Sequence, residues 1–271
     1  MRWLKQIFNF YLDSSIHVAL AIYALVRITL ESFNILYGEA LCYFIFYGSI
    51  VSYNFIKYGS NAKKFFVVRT TYVRWIQVLS FVAFGLTVFY AVRLSIGTLL
   101  WAAGIGLISL LYILPFLPRS KSMRMLSGLK IYIVALCWAA TTVWLPLVNS
   151  GVGFTADLMI ELIQRFLFVL VITLPFEIRD LSFDSLALAT IPQRIGVRKT
   201  KILGISLLFS FYLLSFLKND IYEREMLVNM VIVLISALFL VFARKEQTTY
   251  YSGFFVESIP VIWMLLLLYF N

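Results

Sequence analysis

Nine stretches of largely apolar residues follow one another along the chain, and most approach the roughly 20 residues needed to cross a bilayer as a helix. They are Ile16–Leu36, Glu39–Ile56, Trp75–Val92, Ile96–Phe116, Leu129–Val148, Leu158–Phe176, Ile202–Phe216, Met226–Ala243 and Phe254–Phe270. The seventh is short and has room to extend back toward Lys199. The runs are long and do not alternate, so they predict helices rather than the strands of a barrel. Of the 271 residues, 62% are hydrophobic and only 13% charged. A soluble domain of this size cannot hide so much apolar surface. Composition therefore excludes a soluble globular enzyme, a disordered chain and a disulfide scaffold. The expectation is an all-α multi-pass membrane protein: one transmembrane helical domain over residues 1–271, with no linker and no extended polar region.

The net charge is +10, and its distribution is informative. Eighteen of the 23 basic residues fall before the first stretch or after the second, fourth, sixth and eighth. Only Arg93, Lys218 and Arg224 lie in the alternate connections, while Arg27 and Arg165 lie within stretches. Basic residues accumulate on the cytoplasmic side of membrane proteins. The alternation predicts a nine-helix bundle with a cytoplasmic N-terminus. The positive charge thus faces one side of a bilayer or its anionic headgroups, and no nucleic-acid partner is expected. Met1–Asp13 carries charges and lacks the apolar core of a signal peptide. Cys42 and Cys137 sit in apolar runs and His17 is the one histidine, so a thiolate, zinc or haem centre is not readable.

The chemistry-bearing segment is Leu174–Gly204, LPFEIRDLSFDSLALATIPQRIGVRKTKILG. It places Glu177, Asp180 and Asp184 at the end of an apolar helix. Asp180 and Asp184 are four apart and share one helix face. Two carboxylates so placed repel unless a cation lies between them. A hard divalent ion such as Mg²⁺ takes oxygen ligands and keeps several waters, so it suits this pair with a phosphate completing its shell. Arg179, Arg194, Arg198, Lys199 and Lys201 surround the acids and are suited to diphosphate oxygens. The plainer reading is a solvated loop whose acids and bases pair with each other.

The longer pattern favours chemistry. R-D-x-x-x-D followed by T-I-P-Q-R-I-G resembles the second aspartate motif of the UbiA-type intramembrane prenyltransferases, with Asp180, Asp184, Thr190, Pro192 and Gly196 matching position by position. Tyr112–Lys130 is similar to that family's loop after the fourth helix, ending in a lysine that opens the fifth. The resemblance implies a nine-helix bundle in a bacterial inner membrane, with its active face cytoplasmic. It also implies Mg²⁺ on Asp180 and Asp184, and transfer of a prenyl group from a prenyl diphosphate to an aromatic or lipid acceptor. Asn54, Lys57, Lys130, Arg179 and Arg194 are the implied substrate-binding residues, with Lys130, Arg179 and Arg194 as diphosphate contacts. The family's first motif, N-D-x-x-D-x-x-x-D, is degenerate. In Tyr53–Ala62, Asn54 matches the leading asparagine, but Phe55, Tyr58 and Ala62 occupy the aspartate positions. No acid occurs between Glu39 and Asp157. Lys57, Lys63 or Lys64 could replace the second cation as a point charge. The alternative is a catalytically inactive lipid-binding or scaffolding protein of the same fold. A transporter ranks last, because intramembrane acids are few.

Three further acids lie in or at the ends of apolar stretches. Glu31 and Glu161 have Arg27 and Arg165 at i, i+4 and are expected to pair with them. Glu257 has no such neighbour, so pairing and an acceptor-binding role stand level. His17, at the start of the first stretch, could bind substrate, but a lone boundary histidine is expected to be a solvated or hydrogen-bonded filler.

Overall fold

The structure, a computed structural model, describes residues 2–36, 38–58, 71–113, 128–185, 188–219 and 222–270. The described residues contain helices and no strand. The helices are α1 (Arg2–Asp13), α2 (Ile16–Ser32), α3 (Glu39–Tyr58), α4 (Thr71–Ala91) and α5 (Ile96–Ile113). After them come α6 (Lys130–Ser150), α7 (Ala156–Asp180), α8 (Ile191–Leu217), α9 (Glu223–Phe242) and α10 (Tyr251–Tyr269). Within the described residues, each of the nine apolar stretches overlaps one of α2–α10. Among the described residues, six helices (α4 and α6–α10) are long and apolar enough to cross a membrane, and the bent pair α1–α2 makes a seventh if counted as one span. The other two fall short for local reasons. In α3 the tyrosines, Asn54 and Lys57 dilute the apolar run, and in α5 the run is shorter.

Burial separates the central helices from the peripheral ones. The apolar window of α7 is 61% buried, whereas that of α4 is 11% buried. A helix apolar all round is either enclosed by protein or faces lipid. The exposed Trp75, Phe81, Val82 and Phe84 of α4 mark the second case. α2 packs against α3, α6 and α10, and α7 packs against α6 and α8. The shared core is built from Leu25, Ile28, Leu41, Ile172, Ile178, Ile232 and Ile259. Trp263 meets Phe168 edge-on at 5.0 Å and Phe211 at 5.7 Å.

Two helices contain a widened turn with i→i+5 hydrogen bonds, Ala140–Trp144 in α6 and Tyr251–Val256 in α10. Each overlaps the residue four before a proline, Pro146 or Pro260. Proline has no N–H to return to that carbonyl, and a wide turn is one way to absorb the gap.

The α8 segment explains the T-I-P-x-x-x-G pattern. Gln193 Oε1 accepts the Thr190 N–H at 3.0 Å, capping the helix start, and Pro192 fills the first turn. At Gly196 the backbone leaves helical geometry, with φ 81° and ψ 158°. Only glycine adopts this region without strain. Gly196→Ala is expected to cost about 1–3 kcal/mol. An unchanged thermal midpoint in detergent would show that the break is not required. α8 therefore begins well before Ile202, so Arg194, Arg198, Lys199 and Lys201 are helical rather than in a loop. Gly204 marks the tight crossing of α8 with α7 and α9, since a Cβ there would meet Leu174 Cδ1 at 2.8 Å and also overlap Leu240.

Candidate functional site

The acidic motif lies where α7 ends. Asp180 is its last residue, and the Asp184 N–H bonds back to the Asp180 carbonyl at 2.8 Å, so the chain makes one further turn. The two aspartates play different parts. Arg179 grips Asp180 with a fork, Nε to Oδ1 at 2.7 Å and Nη2 to Oδ2 at 3.1 Å. Its third nitrogen, Nη1, donates to Ser252 Oγ at 2.8 Å, in the wide turn of α10. Asp184 Oδ2 is buried and has no hydrogen-bond partner among the described residues. Gln193 fixes this turn to the start of α8 by donating Nε2 to the carbonyls of Asp184 at 3.2 Å and Ser185 at 3.3 Å.

Glu177 is the third acid of the cluster. Its buried carboxylate lies near the Ile191 N–H at the start of α8, and the charges of Lys130, Asp184 and Asp180 act on it. Its Oε2 also has no partner among the described residues. Glu177, Asp180 and Asp184 are spaced three and four apart, the spacing of one helix face. That spacing could have marked Glu177 as a site residue.

Lys130 arrives at the start of α6. Just before it, Gly128 adopts φ +77° and donates its N–H to the Leu188 carbonyl at 2.8 Å. A Cβ there would come within 3.2 Å of the Arg194 guanidinium, so the glycine lets Arg194 lie across this backbone. Lys57 is joined to the cluster through Glu257, whose carboxylate feels both Lys57 and Arg179. The Lys57 ammonium donates to the Leu12 carbonyl at 3.2 Å. The structure thus brings Lys57, Lys130, Arg179, Asp180, Asp184 and Arg194 to one end of the helices, with Glu177 and Glu257 between them. Asn54, one turn from Lys57, is directed elsewhere. Its Nδ2 donates to Ser80 Oγ at 2.9 Å, tying α3 to α4, and its Oδ1 is buried without a partner among the described residues. Lys63, Lys64 and most of Tyr112–Lys130 lie outside the described residues. His17 is a satisfied core histidine. Nε2 must donate to the Phe254 carbonyl at 3.0 Å, so Nδ1 accepts the Tyr11 hydroxyl at 2.7 Å.

A second polar cluster sits near the other end of α7. Glu161 pairs with Arg165 at 2.8 Å, as i, i+4 spacing predicts, and also with Lys218 at 2.7 Å. Arg165 is fully buried. It donates to the Leu25 carbonyl at 2.8 Å and to Thr29 Oγ1 at 3.3 Å. Burial alone would pull Lys218 down, but the Glu161 carboxylate outweighs it and holds the ammonium above the usual lysine range. Beside them Gln164 donates to the Phe211 carbonyl and to Ser215 Oγ, both at 2.9 Å. Glu31 makes a contact that local spacing does not anticipate, with Arg224 Nη2 at 3.2 Å. This second cluster pairs acids and bases across helices and clamps them together.

The acidic turn offers hard oxygen donors. Two orphaned carboxylate oxygens, on Glu177 and Asp184, are of the kind a small divalent cation takes, and Asp180 is paired with Arg179. Among the described residues no three His, Cys, Asp or Glu side chains already converge on one metal position. Comparison with protein-family models, curated proteins and solved structures finds no match to this chain.

Proposed function

We propose that the chain is a UbiA-like membrane prenyltransferase with nine spans and a cytoplasmic N-terminus. It transfers a prenyl group from a prenyl diphosphate to an aromatic or lipid acceptor, at the cytoplasmic face of a bacterial inner membrane. The observation that carries this reading is the pair of orphaned buried oxygens, Glu177 Oε2 and Asp184 Oδ2, in an acidic turn surrounded by cations. A carboxylate oxygen buried without a partner is costly, and such positions are commonly functional.

In this reading Asp184 and Glu177 would hold Mg²⁺, and Asp180 would join them when Arg179 turns from it to the substrate. The bound ion would offset charge on the diphosphate. Lys130, Arg179 and Arg194 bind diphosphate oxygens, and Lys57 supplies a further positive charge where the first motif lacks its acids. As the allylic C–O bond breaks, its electron pair leaves with the diphosphate, and these cations stabilise the charge that develops. The acceptor then forms the new bond to carbon and loses a proton. The apolar helices enclose the isoprenoid tail.

The second reading, an inactive lipid-binding or scaffolding protein, draws on Phe55 and Tyr58 standing where the family has acids. Thermal unfolding with Mg²⁺ and a non-hydrolysable prenyl thiodiphosphate separates the two. A ligand that binds the folded state at 100 times its Kd stabilises it by about 2.7 kcal/mol. A rise that requires both components supports the transferase. No rise with either favours the scaffold.

A further inference from the structure

The N-terminal helix carries an apolar stripe that the protein covers only in part. On α1 the apolar residues Trp3, Leu4, Ile7, Phe8, Tyr11 and Leu12 fall on one side, and Lys5, Gln6, Asn9 and Asp13 on the other. The C-terminal half of the stripe is packed. Phe8 meets Phe254 edge-on at 4.9 Å, and Tyr11 bonds His17. The N-terminal half is bare, with Trp3 79%, Leu4 73% and Ile7 63% exposed.

α1 does not continue the line of α2. The two axes differ by 55°, and the break is at Ser14–Ser15, where Ser15 is left-handed at φ 62°. A 12-residue helix is about 18 Å long. At that angle α1 travels farther sideways than along the α2 axis. Its end is pinned rather than loose. The Lys57 ammonium and the Tyr58 hydroxyl donate to the Leu12 and Asp13 carbonyls, both at 3.2 Å, and the Tyr72 hydroxyl donates to Asp13 Oδ2 at 2.7 Å. Phe10 packs edge-on against Tyr72 at the start of α4. One turn further along α4, Trp75 is 61% exposed and opens the apolar face that α4 presents to lipid. The bare stripe of α1 therefore adjoins a lipid-facing surface.

We infer that α1 is an interfacial helix, lying in the headgroup region of the leaflet next to the candidate site. Trp3, Leu4 and Ile7 dip into the acyl boundary, and Lys5 and Gln6 face water. A short helix with a segregated apolar face, a tryptophan at its edge and a sharp bend at its junction has this position as its natural resting place. Its partner is the phospholipid leaflet. Because Lys57 is held by the last turn of α1, the leaflet also helps set the position of a cation in the candidate site.

The test uses the full chain in lipid nanodiscs, with Cys42→Ala and Cys137→Ala as background and single spin labels introduced through Leu4→Cys, Lys5→Cys, Gln6→Cys or Ile7→Cys. Labels at 4 and 7 are expected to collide with oxygen and to be shielded from a water-soluble nickel chelate. Labels at 5 and 6 should show the reverse. Equal nickel access at all four positions would mean that the helix projects into water. Deep oxygen access at all four would make α1 part of a span. Loss of access to both reagents at 4 and 7 would mean that a second copy of the chain covers the stripe. Each of these three outcomes overturns the inference. None depends on whether the site binds a prenyl diphosphate.

Discussion

Glu161→Leu is expected to destabilise the fold by about 3–5 kcal/mol, the range seen when one partner of a buried ion pair is removed. The side chain pairs with two cations at once, Arg165 at 2.8 Å and Lys218 at 2.7 Å. Lys218 keeps some access to water, but Arg165 has none. Its guanidinium would be left with the Leu25 carbonyl and threonine hydroxyls and no anion. The companion Arg165→Met is expected to cost less in the Glu161→Leu background than alone, because the second substitution removes the stranded charge. Unfolding followed by denaturing-detergent titration in mixed micelles gives the comparison. A loss under about 1 kcal/mol for Glu161→Leu would mean that water reaches the cluster and screens it.

The second large effect is on turnover. Under the transferase reading, Asp184→Asn removes an anionic oxygen from the site while preserving shape. Prenyl transfer at saturating Mg²⁺ and prenyl diphosphate is expected to fall about 10²–10³-fold, the cost of losing one preorganised electrostatic group. Glu177→Gln should fall comparably, because the amide keeps the shape of the side chain but carries no charge. Asp157→Asn serves as the control. Asp157 accepts from Asn219 near the beginning of α7, away from the acidic turn, and its replacement should leave turnover unchanged. Thermal midpoints of all three variants close to that of the parent would separate loss of chemistry from loss of fold. Full activity in Asp184→Asn and Glu177→Gln would remove the acidic turn from the mechanism.

Some local chemistry was legible where the interacting groups were close in sequence. The Glu161–Arg165 pair is a four-residue spacing, and the structure has it. The Thr190–Gln193 cap and the glycine break involve only short-range backbone requirements, but the structure was needed to show them. The grip of Arg179 on Asp180 was not legible, because adjacent residues on a helix point in different directions and no spacing rule pairs them. Lys218 on Glu161, Arg224 on Glu31 and Lys57 beside Glu257 were also hidden, because each joins helices far apart along the chain.

The sequence by itself determined that the chain is helical and belongs in a membrane, since long apolar runs leave no other way to satisfy the backbone away from water. It also determined which helix end carries the acids. Tertiary structure decided which of those acids is tied and which is bare, which basic residues converge on them, and that the first helix turns aside at Ser15. Those outcomes depend on distances between helices. Periodicity fixes the face of each helix but does not fix what that face meets.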